Sequence, residues 1–525
     1  MAEVVQEQGE ARHEIVEAVL TEVRAVMPKE LVDQLTPDSS LFELGLDSVA
    51  IMDVVNRIEK QFGMRFREEW LYDMETCADL VDCIMRHRNP ETAAEPTPAP
   101  AAAKEATAPP AESGPIPAAH YDVAQFPECV AFHQRLAAAK AVGLENPFFR
   151  VHDRIGHGCA TIDGREMINY TSFDYLGLAG HPEVVAAAKA AIDRLGCSAT
   201  ASRLVGGNHR LLEELDQELA RFLGTEAAIA FPSGYGTNAS VLGHLFGEND
   251  LILYDELAHN SMFMGATASK AGRRSFPHND ADALDELLRD IRGRYRRVGV
   301  AIESVYSMDG DYPDLPRFIE VKRRHRAVLY VDEAHAVGTM GRTGRGLCEH
   351  FGVEPAEGDV WMGTISKGLG SGGGYLAGRE PLMRYLKYTT PSFVFATACS
   401  PANAAAALTA LRVLQKEPER VVRLRERSAQ FLKLARECGL NTGHSHDTPI
   451  VPIILGNSAQ CLRVSQELLR QSINAQPILY PAVRESAARV RFFISAEHTE
   501  EQIARTVKAL AECIAATSDM PASAG

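Results

Sequence analysis

The spacing of apolar residues changes character twice along the chain. In the first part Ile15, Val19, Val23 and Val26 recur at helical intervals, as do Val49, Met52, Val55 and Ile58, and strand-like runs are few. Apolar positions every three or four residues predict amphipathic helices, so a small helical bundle is expected there. Over residues 89–117 the periodicity stops and the run NPETAAEPTPAPAAAKEATAPPAESGPIP takes its place. Its prolines keep it extended and it carries too little apolar surface to fold, which predicts a semi-rigid tether. Beyond it, the continuous apolar runs AAIAF, DLILYD, VGVAIES, AVLYVDEAH and VWMGTIS alternate with helical stretches such as 281–292 and 315–325. That alternation predicts an α/β domain with a mostly parallel sheet. From about residue 379 a long helical region, 404–438, precedes short strands near 450–455 and 489–494, a second and smaller α/β domain. The expected division is thus a helical bundle at 1–88, a linker at 89–120, an N-terminal arm at 121–169, the large domain at 170–378 and the small domain at 379–525.

Composition narrows the functional classes. The 525 residues are too many for one ordinary core. The net charge of -16 argues against nucleic-acid binding. Roughly ten of the excess negative charges lie in the first ninety residues, so a strongly acidic module joins a nearly balanced one. No run of apolar residues is long enough for a membrane span, and the N-terminus lacks the apolar core of a signal peptide. The ten cysteines are scattered singly, without a CxxC pair. Reduced thiols, a cytoplasmic location and no bound metal are expected.

Two short segments carry candidate chemistry. In LFELGLDSVAIMDVVNRIEKQFG, Ser48 follows Gly45 and Asp47 and precedes a helical pattern. A hydroxyl at a helix N-terminus can carry a phosphodiester where the helix dipole favours negative charge. An Asp-Ser pair is also an ordinary helix cap. The second segment, Thr364-Ile-Ser-Lys367-Gly-Leu-Gly-Ser-Gly-Gly-Gly, sets a lysine between hydroxyls (Thr364, Ser366) and glycines. Hydroxyls and bare N–H groups suit a phosphate, while the amine can form a Schiff base.

Other pieces of the large domain point to the same ligand. Asp332-Glu333-Ala334-His335 ends an apolar strand, where a carboxylate reaches the ligand crevice of an open α/β sheet and can keep a pyridine nitrogen protonated. His335 can then hydrogen-bond the ring's phenolic oxygen. The same DEAH letters occur in helicase-type ATPases, but those need a GxxxxGK[ST] loop upstream and this chain has none. Phe231-Pro-Ser-Gly-Tyr-Gly-Thr-Asn238 reads as a strand-to-helix turn whose N–H groups at Gly234 and Tyr235 can meet a phosphate. His259, just past another strand, is a candidate to stack on the cofactor ring.

The order of these pieces, from about Asn146 to the end, resembles the α-oxoamine synthases, fold-type I pyridoxal-phosphate enzymes. Glu303-Ser-Val-Tyr-Ser-Met-Asp-Gly310 looks like the family's E-G-x-[FY]-S-M-[DE]-G segment, with Ser307 among the cofactor contacts it implies. Thr343-Gly-Arg-Gly346 and the late Arg489-Val-Arg491 also match. The resemblance implies that Lys367 binds pyridoxal 5'-phosphate and that Arg491 binds the amino-acid carboxylate through a bidentate contact. It also implies a homodimer in which Thr397 reaches the cofactor phosphate of the other subunit. Two departures stand out. Phe173-Asp-Tyr-Leu-Gly177 replaces the N-D-Y-L-G of several relatives and is closer to the serine palmitoyltransferase form, and Leu212 replaces a usual histidine. The segment around Ser48 resembles acyl carrier proteins, whose serine carries 4'-phosphopantetheine; Val49 stands where they usually have Leu. Acidic residues of the following helix, Asp53 and Glu59, are then expected to face basic partners.

Together these imply a carrier domain fused to a fold-type I transferase. The expected reaction is a decarboxylative Claisen condensation of glycine, alanine or serine with an acyl thioester on Ser48, giving an α-amino ketone. Lys367, His259, Asp332 and His335 are the expected catalytic set. The carrier needs a phosphopantetheinyl transferase and an acyl-loading enzyme as partners. An aminotransferase acting on carrier-bound substrate and a noncatalytic acyl-presenting scaffold are the other readings.

Overall fold

The computed structural model describes residues 2–27, 32, 35–37, 39, 41, 46, 48–64, 66, 76–88, 116–480 and 482–518. The chain divides into two compact units, one running to Pro147 and the other spanning Phe148–Asp519. The linker residues 89–115 lie outside the described residues.

The acidic unit contains helices α1 (Ala2–Val26), α2 (Ser48–Phe62) and α3 (Cys77–Arg88). Ile15, Val19 and Val23 of α1, Val55 and Ile58 of α2, and Leu80 and Ile84 of α3 share one core, as their helical spacing predicts. The side chains of Ser48, Val49, Met52 and Asp53 lie outside the described residues. The structure corrects the expectation for Glu59. It is 2% exposed, and its Oε1 accepts the Phe66 backbone N–H at 2.8 Å. Glu59 follows Ile58 on the inward side of α2, and there it satisfies a backbone donor that the returning chain would otherwise bury unpaired. Past the linker, the helix Pro127–Ala141 buries none of its residues within the chain.

The second unit opens with an antiparallel ribbon of β1 (His152–Gly156), β2 (Cys159–Ile162) and β3 (Arg165–Asn169). The main sheet follows: β4 (Ala227–Phe231), β5 (Leu251–Asp255), β6 (Gly272–Phe276), β7 (Val298–Glu303), β8 (Val328–Asp332), β9 (Val360–Thr364) and β10 (Gly374–Gly378). Their order is β4-β10-β9-β8-β7-β5-β6; β10 runs antiparallel to both neighbours and the other pairings are parallel. The residues of β4 show why these runs read as continuously apolar. Ala228 and Ala230 face one core while Ile229 and Phe231 face the other, so helices cover both faces of the sheet.

All five expected runs are strands, and the helix Leu315–His325 has the expected bounds. The pattern did not reveal β6 or β10. Gly-Arg-Arg-Ser-Phe carries two arginines, one of them, Arg274, fully buried, and Gly-Tyr-Leu-Ala-Gly is bounded by glycines. The expected long helix at 404–438 is two, Pro401–Lys416 and Glu419–Glu437. A small sheet of β11 (Ile450–Ile454), β13 (Gln476–Ile478) and β14 (Arg489–Phe493) packs with the helices Glu419–Glu437, Ser458–Arg470 and Glu500–Ser518 around a separate core. The short β12 (Ile473–Asn474) instead joins β3 in parallel.

Candidate active site

The chemistry-bearing residues converge because the parallel strands end together. Asp255, Glu303, Asp332 and Thr364 are the last residues of β5, β7, β8 and β9. Ligands of open α/β sheets bind in the crevice beyond such carboxyl ends. Lys367 lies in the connection from β9 to β10.

Lys367 Nζ is 2.9 Å from Nε2 of His335, whose Nδ1 is 2.7 Å from the Tyr175 hydroxyl. An ammonium can only donate, so Nε2 is the acceptor and Nδ1–H donates to Tyr175. Burial, reinforced by the positive charges of Lys367 and Arg491, holds the His335 pKa well below its usual value, so the imidazole is neutral. Burial also lowers the Lys367 pKa; the Asp332 charge opposes that shift and Arg491 adds to it. A lysine shifted in this direction is easier to free of its proton and to use as a nucleophile or base.

Asp332 is 3% exposed and held on two sides. Its Oδ1 accepts the Ala334 N–H at 2.8 Å, and its Oδ2 accepts Nδ2 of Asn238 at 2.6 Å. Asn238 is fixed in turn, because Tyr330 donates to its Oδ1 at 2.8 Å and its Nδ2 also donates to Ser261 at 3.0 Å. His259 caps the helix Asn260–Ala268: its Nδ1 accepts the Ser261 N–H at 3.3 Å and lies 2.7 Å from the Ser261 hydroxyl. Its ring is reachable from solvent at the site's mouth, yet surrounding protein lowers its pKa; Asp332 opposes this.

Arg491 approaches from β14. Its Nη1 donates to the Ser307 carbonyl at 2.7 Å and contacts the Met308 sulfur at 3.2 Å, and its guanidinium lies 4.4 Å from the Phe493 ring centre. Its Nε–H is buried with no partner. Burial lowers its pKa to about 10. A desolvated guanidinium with an unused donor is a seat prepared for a carboxylate.

A phosphate seat lies at the start of the helix Gly234–Leu245. Ser233 caps the Gly236 N–H, which leaves the N–H groups of Gly234 and Tyr235 without helical partners. Thr364 Oγ1 and Ser366 Oγ, 2.6 Å apart, stand beside it. A Cβ on Gly234 would come within 2.8 Å of Thr364 Oγ1, so only glycine lets the helix start approach the Thr364 hydroxyl.

The structure therefore brings together Lys367, His335, Asp332, His259, Arg491, Thr364, Ser366, Gly234 and Tyr235. Ser307 joins through its carbonyl. Thr397 is exposed and takes no part in these hydrogen bonds among the described residues. Ser48 opens α2, and its side chain lies outside the described residues. Asn238, Tyr175 and Phe493 contribute to the site without having been singled out. Asn238 carried a signal, since it closes the strand-to-helix segment already noted. Phe173 lines the site as well: its ring lies 5.6 Å from Lys367 Nζ and edge-on to Phe493 at 4.8 Å.

An amine for an aldehyde, a carboxylate for a ring nitrogen and bare N–H groups for a phosphate suit pyridoxal phosphate, and the fold and site define a fold-type I enzyme of that class. Comparisons with known proteins agree. Residues 165–510 match the family model "Aminotransferase class I and II", and residues 17–84 match "Phosphopantetheine attachment site". The 8-amino-7-oxononanoate synthase of Symbiobacterium thermophilum is 39% identical over 67% of this chain and 89% of its own length. The synthase of that name from Fervidobacterium nodosum is 40% identical over 65% and 87%. Among solved structures, Sphingomonas wittichii serine palmitoyltransferase has TM-score 0.71 and 31% identity, covering 76% of this chain and 100% of its own. A serine palmitoyltransferase from S. paucimobilis with PLP and myriocin bound gives 0.71 and 28% with the same coverage. The chain belongs to the α-oxoamine synthase family, pyridoxal-phosphate-dependent acyltransferases, and carries a phosphopantetheine-binding domain ahead of the synthase.

Proposed function

We propose that this enzyme condenses a small α-amino acid (glycine, alanine or serine) with an acyl thioester carried on phosphopantetheine at Ser48. The products are an α-amino ketone, carbon dioxide and the free carrier thiol. One observation carries the reading: a carrier-domain match precedes, on the same chain, a synthase whose arginine has an unpaired buried donor beside the lysine. A tethered donor is presented at high effective concentration, which a freely diffusing thioester is not.

When bound, pyridoxal phosphate supplies an electron sink for the Cα carbanion. The chain's residues do the rest. Gly234, Tyr235, Thr364 and Ser366 hold the phosphate. Asp332, fixed by Asn238, would keep a proton on the ring nitrogen, and His335, oriented by Tyr175, would face the phenolic oxygen. Lys367 would hold the cofactor's carbonyl carbon and, once free, would take the Cα proton, a role its lowered pKa favours. Arg491 holds the carboxylate and His259 covers the ring. Phe173 and Phe493 exclude water beside the amine. We place the working enzyme in the cytoplasm as a homodimer, with Thr397 serving the partner's phosphate. The exposed Tyr388 and Phe395 of the second unit support an association surface. Among the described residues no helix is long and apolar enough to cross a membrane.

The test is to load Ser48 with acyl groups of graded length, add each amino acid and measure carbon dioxide release. Turnover with at least one pair is expected. Lys367→Ala should abolish turnover, and Ser48→Ala should abolish turnover of the tethered donor while leaving the absorbance of the lysine-bound cofactor intact. Full activity of Ser48→Ala would make a diffusing coenzyme A thioester the donor.

A further inference from the structure

We infer that Glu303 is a neutral buried acid that positions His259 over the cofactor through the backbone and does not act as a charge beside Lys367. This rests on the proposed placement of the cofactor between Asp332 and His259. Glu303 ends β7 and is 3% exposed. Its Oε1 accepts the His259 backbone N–H at 2.6 Å, reaching across to the turn that follows β5. His259 is thereby fixed at two points, its backbone by Glu303 and its ring by Ser261.

The charges around Glu303 decide its proton. From β8, Asp332 stands opposite it in register. From β5, Asp255 accepts the Leu257 N–H and His278 on Oδ1 and the Asn279 N–H on Oδ2. His278 is itself shared with Asp311, at 2.9 Å. Tyr306 lies beside the Glu303 N–H, at 3.4 Å, and Lys367 comes from the β9–β10 connection, its amine bonded to His335. Both oxygens of Asp332 accept N–H groups, and such bonds favour its ionised form. Glu303 has one such donor and faces two carboxylates that are better satisfied. Two adjacent buried carboxylates cannot both ionise without a cation between them. Burial first, and Asp332 next, raise the Glu303 pKa; Lys367 and the His259 N–H oppose the shift.

The test uses the full-length holoenzyme and titrates the absorbance of the lysine-bound cofactor against pH, for the parent, Glu303→Gln and Glu303→Ala. Glutamine keeps a neutral acceptor at the same length. Its titration midpoint should match the parent's and its visible circular dichroism should be retained. Alanine removes the acceptor, so the midpoint should stay put while the cofactor dissociation constant rises about tenfold and the dichroic band shrinks. If glutamine lowers the midpoint by about one unit or more, Glu303 is ionised and the inference fails. It fails too if alanine matches the parent in dichroism and affinity. Should the alanine variant not fold, Glu303→Met, of similar length and without an acceptor, takes its place. None of these readings needs the amino acid or the acyl donor, so they stand even if the proposed substrates prove wrong.

Discussion

Arg491 can be replaced by lysine, which keeps a charge but loses the fork, or by alanine, which loses both. In the parent, Nη1 is occupied by Ser307 and Met308 while Nε–H is buried and unpaired. An unpaired buried donor costs about 1–3 kcal/mol, recovered when a carboxylate accepts from it. Truncating one side of a buried hydrogen-bonded charge pair costs about 2–5 kcal/mol. The dissociation constant for glycine, alanine or serine should therefore rise roughly 30- to 3,000-fold in Arg491→Ala. In Arg491→Lys it should rise about 5- to 30-fold, since one point charge replaces a planar fork. Folding should not suffer comparably, because the guanidinium is held desolvated and its removal leaves no buried charge behind. The assay is titration of each holoenzyme with amino acid, followed by cofactor absorbance, with ethylamine as a ligand that has the amine but no carboxylate. Ethylamine affinity should be the same in all three proteins. Amino-acid affinity in Arg491→Ala within about threefold of the parent, or an equal loss for ethylamine, would refute the carboxylate seat.

Three further outcomes follow from the same geometry. Asn238→Ala deletes the donor to Asp332 Oδ2, a charge-assisted bond worth about 1.5–3 kcal/mol; exchange of the substrate Cα proton for deuterium should slow roughly 10- to 100-fold with cofactor still bound. Gly234→Ala drives a methyl group to within 2.8 Å of Thr364 Oγ1 and should weaken cofactor retention in equilibrium dialysis while the far-ultraviolet spectrum stays unchanged. For His278, burial lowers the pKa, but hydrogen bonds to Asp255 and Asp311 outweigh it and raise the value from 6.5 to about 10. A raised folded-state pKa stabilises fully below the unfolded value and is lost as pH rises through the folded one. The melting temperature of the synthase unit should therefore fall between pH 6.5 and 10, and His278→Gln should flatten that slope.

The sequence was most readable where chemistry and periodicity coincided. Lys367, Asp332, His335 and His259 each followed a recognisable apolar run, and the sheet brings them into one crevice because parallel strands end on the same side; Arg491 comes from β14 of the smaller sheet. What remained hidden has physical causes. Strand β10 lacks a pattern because glycines bound it, one of them, Gly374, where the helix start at Gly234 leaves no room for a Cβ. Glu59 looked like surface charge because an acid's hydrogen bond to a backbone N–H seven residues on leaves no periodic trace. Asn238, Tyr175 and Glu303 hydrogen-bond other catalytic candidates, and such partnerships between a helix, a loop and a strand distant in sequence appear only once the fold is known.

The antiparallel strand β10 has one more consequence. Gly374 pairs with Thr364 on one side and with Phe231 on the other, three residues before Gly234. The loop bearing Lys367 and the helix start bearing the phosphate donors are thus the two jaws of a gauge whose opening is set by backbone ladders. A phosphate held at the helix start and an amine on Lys367 are therefore spaced by backbone ladders as well as by the side chains around them.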